Sequence, residues 1–263
     1  MAEALKVLTM AEYMVGIKKP EVLFWVGCAG SFDDRAKKIT KAFAKLLNNA
    51  GVDFAVLGTE ESCTGDPAKR AGNEFLFQMQ AMMNIQVLDG YEIKKIVTTC
   101  PHCFNPLKNE YPDLGGNYEV LHHTQFLKSL INEGRLKVEG GKFKGKRITF
   151  HDPCYLGRAN NEYEAPRELL QKLEVELVEM KRCKARGLCC GAGGAQMFKE
   201  PEKGNKDINV ERTEEAIETQ PSIIAAGCPF CNTMMTDGVK AKEKEASIQV
   251  MDIAEMIANA ADL

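Results

Sequence analysis

The sequence lacks several features that mark common classes of protein. Its 263 residues contain no apolar run long enough for a transmembrane helix. The first 16 residues include Glu3 and Glu12 and lack the basic head and unbroken apolar stretch of a secretory signal. A net charge of −3 at pH 7 leaves no surplus of Lys and Arg for binding phosphates. We therefore predict a cytoplasmic protein that binds no nucleic acid and reaches a membrane only through a partner.

Motifs for nucleotides and for ferredoxin-type clusters are also missing. The chain contains no GxGxxG, no P-loop and no CxxCxxC run. If the protein transfers electrons, they must arrive from or leave to another chain. We therefore expect a partner subunit that carries ferredoxin-type Fe–S clusters or flavin.

Cysteine, in contrast, is abundant, with ten residues. Eight of them form two sets of four, and the second set repeats the first after 126 to 128 residues: Cys28, Cys63, Cys100 and Cys103, then Cys154, Cys189, Cys228 and Cys231. The apolar runs that precede them repeat as well. A repeat of this length indicates a duplicated domain. Because thiols stay reduced in the cytosol, we expect metal or redox ligands and not structural disulfides.

The hydrophobic pattern predicts an α/β fold of two tandem, duplicated Rossmann-like lobes with small parallel sheets. Predicted strands cover residues 21–26, 52–57, 93–98, 148–151, 174–178 and 222–226. Predicted helices cover residues 33–49, 71–88, 165–173 and 211–218, and residues 27–30 are predicted to form a turn. We expect a helical segment at residues 1–20, a first lobe at 21–145 and a second lobe at 146–263. Each lobe is long enough for a modest core of its own.

The cysteines of each half fall where such a fold binds ligands. The first cysteine and the CxxC pair directly follow predicted parallel strands, so they lie at the carboxyl ends of the strands. Helix N-termini at that edge stabilise thiolates and anionic metal–sulfur centres. The second half adds a fifth thiol, Cys190, beside Cys189, and the glycines Gly191 and Gly193 follow it closely. Five thiols exceed the ligand number of a tetrahedral zinc ion and favour a multi-iron cluster.

The four thiols of the first half leave two alternatives open. They suit a cubane [4Fe-4S] cluster or a structural zinc ion held by four cysteines. We favour the cubane, because two adjoining clusters would form a path for electrons.

The tandem pattern C…CCG…CxxC resembles the CCG, or cysteine-rich, domain of heterodisulfide reductase subunits B and D and their Fe–S oxidoreductase relatives. The resemblance extends from about residue 21 to about residue 240, and it includes the strings HDPCYLGR at 151–158, CCGAGG at 189–194 and GCPFC at 227–231. The first half departs from the full motif, because Cys63-Thr64-Gly65 stands where the family has Cys-Cys-Gly.

This resemblance implies a noncubane [4Fe-4S] cluster in the second lobe, bound by Cys154, Cys189, Cys190, Cys228 and Cys231. It further implies electron transfer from that cluster to a small-molecule redox substrate. We therefore predict an iron–sulfur oxidoreductase subunit whose acceptor is a disulfide, a quinone or a similar compound. The alternative is a non-catalytic electron-transfer or assembly subunit whose metals hold the lobes together.

Other residues are weaker candidates. His151 could pass protons to a substrate, although hydrogen bonding or packing beside the cluster is the simpler interpretation. Arg158 could anchor an anionic substrate group, although a solvated or paired loop charge is simpler. Cys183 has no counterpart in the repeat and is expected to be an incidental exposed thiol. Three methionines of the second predicted helix are expected to fill the core: Met79, Met82 and Met83.

Overall fold

The computed structural model describes residues 5, 7–16, 19–200 and 203–263. Two separate sheets of parallel strands form within them, and helices cover both sheets. Among the helices of these residues, none has the length and apolar character needed to cross a membrane. The α/β class and the duplicated pair of small parallel sheets predicted from the sequence are thus confirmed.

The first sheet consists of five strands, β1 (Leu8–Thr9), β2 (Val22–Trp25), β3 (Phe54–Val56), β4 (Lys95–Thr98) and β5 (Glu119–His122). Their spatial order is β1-β3-β2-β4-β5, and all neighbouring pairs are parallel. The helices of this half are α1 (Met10–Val15), α2 (Gly27–Phe32), α3 (Asp34–Asn49), α4 (Asp66–Arg70), α5 (Glu74–Gly90), α6 (Pro101–Asn105) and α7 (His123–Asn132).

The second sheet consists of four strands, β6 (Arg147–Phe150), β7 (Glu176–Leu177), β8 (Ile223–Ala226) and β9 (Gln249–Asp252). Their order, β7-β6-β8-β9, repeats the order β3-β2-β4-β5 of the first sheet. The helices of this half are α8 (Glu164–Lys172), α9 (Ile208–Glu218), α10 (Pro229–Ala241) and α11 (Ile253–Ala260). The predicted lobe boundary at residues 145 and 146 lies between α7 and β6. The predicted domain boundaries remain a prediction.

Local sequence explains the central elements. Every residue of β2 and of β8 is buried, as expected for strands covered by helices on both faces. Helix α3 begins after Asp33, whose side chain accepts a 2.7 Å hydrogen bond from the backbone N–H of Ala36. Its apolar residues recur at helical spacing and include the fully buried Phe43.

The two halves share their largest hydrophobic core. Phe24 and Phe43 of the first half belong to the same buried cluster as Ile148, Phe150 and Ile253 of the second half. Helix α3 packs against α11, and α7 packs against α8. One smaller cluster lies mainly in the first half, and another lies in the second half. The expectation of a separate core in each lobe therefore describes only part of the packing.

Polar pairs, one partly buried and one fully buried, cross the same interface. Arg35 of α3 donates two 2.7 Å hydrogen bonds to the carboxylate of Glu255 in α11. The imidazole of His123 lies 3.1 Å from the carboxylate of Asp252, and both side chains are fully buried. Because a buried polar group without its partner is costly, these contacts favour one relative orientation of the two halves.

Several local predictions were wrong. Residues 27–30 lie in helix α2 and not in a turn. The methionines of α5 are exposed, with relative accessibilities of 46%, 61% and 59% for Met79, Met82 and Met83. The core-facing residues of α5 are Phe77, Ala81, Asn84, Ile85 and Leu88. Since α5 is apolar on nearly every side, its sequence does not reveal which side is buried.

The N-terminal segment is only partly helical. Leu8 and Thr9 pair with β3 as an edge strand of the first sheet, and α1 follows at once with Thr9 as its capping residue. The rest of the predicted segment falls partly on residues 1–4, 6 and 17–18, which lie outside the described residues.

Candidate metal centres

The cysteines of each half gather at the carboxyl edge of a sheet, at the point where the strand order reverses. In the first sheet the chain passes from β2 to β3 on one side and then to β4 on the other side of β2. Cys28 follows β2, and Cys100 follows β4. In the second sheet Cys154 follows β6, and Cys228 follows β8 in the same way. Open α/β sheets bind ligands at such reversal points.

The first-lobe thiols, Cys28, Cys63, Cys100 and Cys103, lie together. The hydrogen bond from the Cys28 thiol lowers the pKa of Cys63 to about 7. The backbone N–H of Gly65 donates a further hydrogen bond of 3.4 Å to the Cys63 sulfur. Cys100 and Cys103 are hydrogen-bonded to each other and are only 2% and 6% exposed.

A carboxylate joins the loops of this first group. Glu61 accepts hydrogen bonds from the backbone N–H groups of Val26 and Gly27, at 2.9 and 2.5 Å. Burial raises the pKa of Glu61 to about 7. The contact ties the loop that carries Cys63 to the end of β2, where Cys28 lies.

The second-lobe group contains five thiols, Cys154, Cys189, Cys190, Cys228 and Cys231. The sulfur atoms of Cys190 and Cys231 are 3.3 Å apart, and the N–H of Cys231 lies 3.5 Å from the Cys228 sulfur. Hydrogen bonds from Cys154 and Cys190 hold the pKa of Cys189 well below its usual range. The hydrogen bond to Cys189 raises the pKa of Cys190 to about 12. Both neighbouring thiols therefore point into one group.

The glycines after the Cys-Cys pair have different surroundings. Gly191 adopts a φ of +92°, which favours glycine, and its N–H donates a 3.3 Å hydrogen bond to the Cys189 sulfur. At Gly193 a Cβ atom would lie 3.6 Å from the imidazole of His102. Gly191 thus has a direct contact with a candidate ligand, whereas at Gly193 a side chain would fit in ordinary contact with the neighbouring ring.

The two groups meet across the lobes. Burial, and then hydrogen bonding with Cys100, raise the pKa of the Cys228 thiol well above its usual range, and Cys100 occupies the corresponding position of the other half. The ring of His102 lies beside the same junction, 4.6 Å from the Tyr155 ring and 5.3 Å from the Phe230 ring. Burial disfavours its protonation, but the 2.9 Å hydrogen bond to Asp66 raises the pKa of His102.

The donor set fits iron–sulfur chemistry. All ten cysteines are free thiols, and nine of them form the groups of four and five described above. Thiolates are the soft ligands that iron–sulfur clusters and zinc require. A group of five exceeds what one tetrahedral ion binds. The structure brings these nine residues together in two groups, and their role as cluster ligands stays a prediction.

Beside the second-lobe group, a buried arginine contacts His151. His151 is fully buried, and its Nδ1 accepts a 3.0 Å hydrogen bond from Nε of Arg212, which is also fully buried. Burial and the Arg212 cation lower the pKa of His151 to about 3. Sequence reasoning missed Arg212, because it lies in the middle of α9, far along the chain from any cysteine motif.

The loop before Cys154 is fixed by a second buried arginine. The carboxylate of Asp152 accepts two hydrogen bonds from Arg167, at 2.8 and 3.0 Å, and one of 2.7 Å from the N–H of Lys184. Arg158 does not take part. Its side chain is exposed and makes no hydrogen bond or ion pair within the part of the chain that the structure describes.

Cys183 stays apart from both groups. Burial raises the pKa of its thiol, with smaller contributions from Glu179 and Asp152 that act in the same direction. The neighbouring positive charges therefore do not activate this thiol. Its interpretation as an incidental residue is consistent with its partly exposed position.

An apolar surface cavity lies next to the first-lobe group. Its volume is about 420 Å³, and Cys28, Phe32, Met197, Phe198 and Phe230 are among the residues that line it. Phe198 and Phe230 pack edge to face with ring centres 6.2 Å apart. The cavity therefore opens the junction between the lobes to the surface.

Comparison with known proteins gives a family and several relatives. The family model described as the CCG cysteine-rich domain matches residues 22–108 and 148–236. The chain is 51% identical to the probable iron-sulfur-binding oxidoreductase FadF of Bacillus subtilis (strain 168), over 92% of this chain and 34% of that protein. It is 47% identical to the EtfAB:quinone oxidoreductase of Syntrophomonas wolfei, over 91% of this chain and 34% of that protein.

A more distant relative belongs to the dihydromethanophenazine:CoB–CoM heterodisulfide reductase of Methanosarcina barkeri, of which it is one subunit. The identity is 36% and covers 93% of this chain and 60% of that protein. The chain thus spans between one third and three fifths of the length of these three relatives.

Proposed function

Because this chain belongs to the CCG cysteine-rich domain family of iron–sulfur oxidoreductases, we propose that it transfers electrons through two adjoining centres. The second lobe would hold a noncubane [4Fe-4S] cluster through Cys154, Cys189, Cys190, Cys228 and Cys231. The first lobe would hold a cubane [4Fe-4S] cluster through Cys28, Cys63, Cys100 and Cys103. Such clusters supply one-electron transfer between a donor and an acceptor.

The observation that carries this proposal is the convergence of five thiols in the second lobe. The 3.3 Å separation of the Cys190 and Cys231 sulfurs brings the extra thiol of the Cys-Cys pair to the CxxC motif. A single zinc ion would leave one of these buried thiols without a role. A multi-iron centre gives all five a ligand position.

Backbone groups of this chain stabilise the thiolate form of several cysteines. Backbone N–H groups of Gly65 and Gly191 point at Cys63 and Cys189. Cys228 caps the N-terminus of α10, where the N–H of Cys231 points toward its sulfur and the positive end of the helix dipole favours negative charge. These contacts stabilise negative sulfur, and hydrogen bonds of this kind tune the reduction potential of a cluster.

The interaction between Cys100 and Cys228 supports a route for electrons between the two centres. Both ligand candidates are buried, and they interact across the lobes. We propose that a protein carrying ferredoxin-type clusters or flavin acts as the partner at one end. The acceptor at the other end is proposed to be a disulfide, a quinone or a similar small molecule.

Metal analysis of protein purified without oxygen tests the proposal. We expect about eight irons with matching acid-labile sulfide per chain and two distinct EPR signals, one of them unlike that of a cubane cluster. About four irons and one zinc would assign the first lobe a structural ion instead. Zinc alone, in protein never exposed to air, would contradict the redox function.

Acceptor assays separate catalysis from the alternative of an assembly or electron-transfer subunit. The reduced protein is mixed with a disulfide or a soluble quinone, and reoxidation of both EPR signals is followed. Rapid reoxidation by one acceptor class supports an oxidoreductase. Reoxidation only by a protein partner supports the electron-transfer alternative. The cytoplasmic location stays a prediction that cell fractionation tests.

A further inference from the structure

Arg212 determines which ring nitrogen of His151 carries the proton. The guanidinium group of Arg212 carries only donors, so the 3.0 Å contact between its Nε and Nδ1 of His151 runs from arginine to histidine. Nδ1 must therefore present a lone pair. A neutral imidazole has one N–H, and here that proton lies on Nε2.

Nε2 of His151 has no hydrogen-bond partner among the residues that the structure describes, although it is buried. A buried N–H without an acceptor is costly and rare in folded proteins. One ring nitrogen of His151 and the sulfurs of Cys190 and Cys231 all lie within 4.8 Å of one another. Since Nδ1 is occupied by Arg212, Nε2 is the nitrogen left to face these two thiols.

Arg212 is itself held in place. Its Nη1 donates hydrogen bonds to the carbonyl oxygen of Arg182 at 2.8 Å and to the carboxylate of Glu215 at 3.0 Å. Nη2 is buried without a partner in the described part of the chain, and the whole side chain is inaccessible to solvent. The arginine therefore cannot swing away from His151 without breaking several contacts.

We propose that His151 is not a ligand but donates a hydrogen bond from Nε2–H to a sulfur atom of the second-lobe cluster, and that Arg212 is the positioning residue that enforces this tautomer. The inference rests on the proposed function, because it requires a cluster at the five thiols. The cluster sulfur would be the acceptor for the Nε2–H of His151, which has no partner among the described residues. This arrangement also argues against the role of His151 as a proton donor to a substrate, since its only proton is held in this contact.

The contact affects the electron equilibrium of the centre. Reduction adds one negative charge to a cluster, and a hydrogen bond to its sulfur is stronger when that sulfur is more negative. The His151 donor therefore stabilises the reduced form. The fixed Arg212 cation nearby acts in the same direction. Removing the donor should lower the midpoint potential of the second-lobe centre and leave the first-lobe centre unchanged.

Pulsed EPR of the wild-type holoprotein gives a first test that needs no variant. Protein labelled with ¹⁵N-histidine is reduced and examined in H₂O and in D₂O. We expect a weak ¹⁵N coupling and an exchangeable proton coupling on the second-lobe signal. A strong coupling typical of a directly bonded nitrogen would show that His151 is a ligand and would overturn the inference.

Variants then assign the coupling and measure its effect. In His151→Leu, which has no donor, the exchangeable coupling should disappear. In a redox titration we expect at least a tenfold change in the equilibrium constant for reduction, which is about 59 mV for one electron. His151→Gln keeps an N–H near the position of Nε2 and should restore part of the shift. Arg212→Met should weaken the coupling without removing it, and His102→Gln should retain it.

The possible failures are distinguishable. If wild-type protein contains no second-lobe cluster by iron analysis and EPR, the proposed function itself fails. If the cluster is present and His151→Leu retains both the exchangeable coupling and the wild-type midpoint potential, only the role of His151 is wrong. If His151→Leu does not assemble a cluster, the wild-type ¹⁵N measurement decides between donor and ligand.

Discussion

Removing Arg167 should destabilise the protein more than removing a similar arginine at the surface. Arg167 donates two hydrogen bonds to Asp152, at 2.8 and 3.0 Å, and both side chains are about 5% exposed or less. In Arg167→Met the Asp152 carboxylate stays buried without its counter-charge. Breaking one partner of a buried ion pair costs about 3–5 kcal/mol of unfolding free energy. Asp152 also precedes Cys154 by two residues, so the same change should loosen one ligand of the second-lobe centre.

The chain offers a matched control. Arg135 donates two hydrogen bonds to Glu21 at 2.8 and 3.0 Å, but these side chains are 29% and 38% exposed. Exposed pairs contribute about 0–1 kcal/mol. Arg135 also donates to the carbonyl oxygens of Ala50 and Gly51, and each such bond contributes about 1 kcal/mol. Arg135→Met should therefore cost about 2–3 kcal/mol in all, less than Arg167→Met.

Urea unfolding of the two holoprotein variants, followed by circular dichroism under anaerobic conditions, measures the difference. With a slope of about 3 kcal/mol per molar urea, Arg167→Met should lower the midpoint by about 1–2 M. The double variant Asp152→Asn with Arg167→Met removes the stranded charge and should recover part of this loss. Equal midpoint shifts for Arg167→Met and Arg135→Met would refute the reasoning from burial.

Two further predictions concern the cysteine pair and the helical glycines. Cys190→Ser should change the EPR signal and iron content of the second-lobe centre while the first-lobe signal persists. The control Cys183→Ser should change neither centre. Equal loss of both centres in Cys190→Ser would contradict the two-site model. Gly238→Ala should lower the melting temperature by an amount equivalent to about 1–3 kcal/mol, because the new Cβ would lie 2.0 Å from Oγ1 of Thr213. In the control Gly90→Ala the new Cβ would have no atom within 4 Å, so this change should be neutral or stabilise helix α5 by up to about 1 kcal/mol. Similar melting temperatures for the two variants would disprove the steric argument.

The parts of the structure predictable from sequence were those set by short-range pattern. The apolar runs before Cys28, Cys100, Cys154 and Cys228 predict the four central strands. The ends of these strands then predict where the four cysteines lie in the fold. This worked because a central parallel strand is buried on both faces and has a continuous apolar signal. Strand β5, Glu119–His122, has no such run and was missed together with helix α7 after it.

Features set by packing between distant segments were not predictable. The exposure of Met82 depends on which face of α5 meets the sheet, and its neighbours in sequence are apolar on most sides. Arg212 and His151 are 61 residues apart along the chain, and no local motif marks their contact. The Cys100–Cys228 contact likewise follows from how the lobes dock. One sequence supplies the spacing of ligands within a lobe, but not the distance between lobes.

The reciprocal packing of the halves has a consequence for the origin of the two centres. The pairs α3 with α11 and α7 with α8 are equivalent contacts related by exchange of the halves, and Cys100 meets its own counterpart Cys228. This is the geometry of a twofold homodimer joined into one chain. In a homodimer both sites must have the same ligands. Fusion of the two copies removes that constraint, and it allows one site to keep Cys-Cys-Gly at residues 189–191 while the other has Cys-Thr-Gly at residues 63–65.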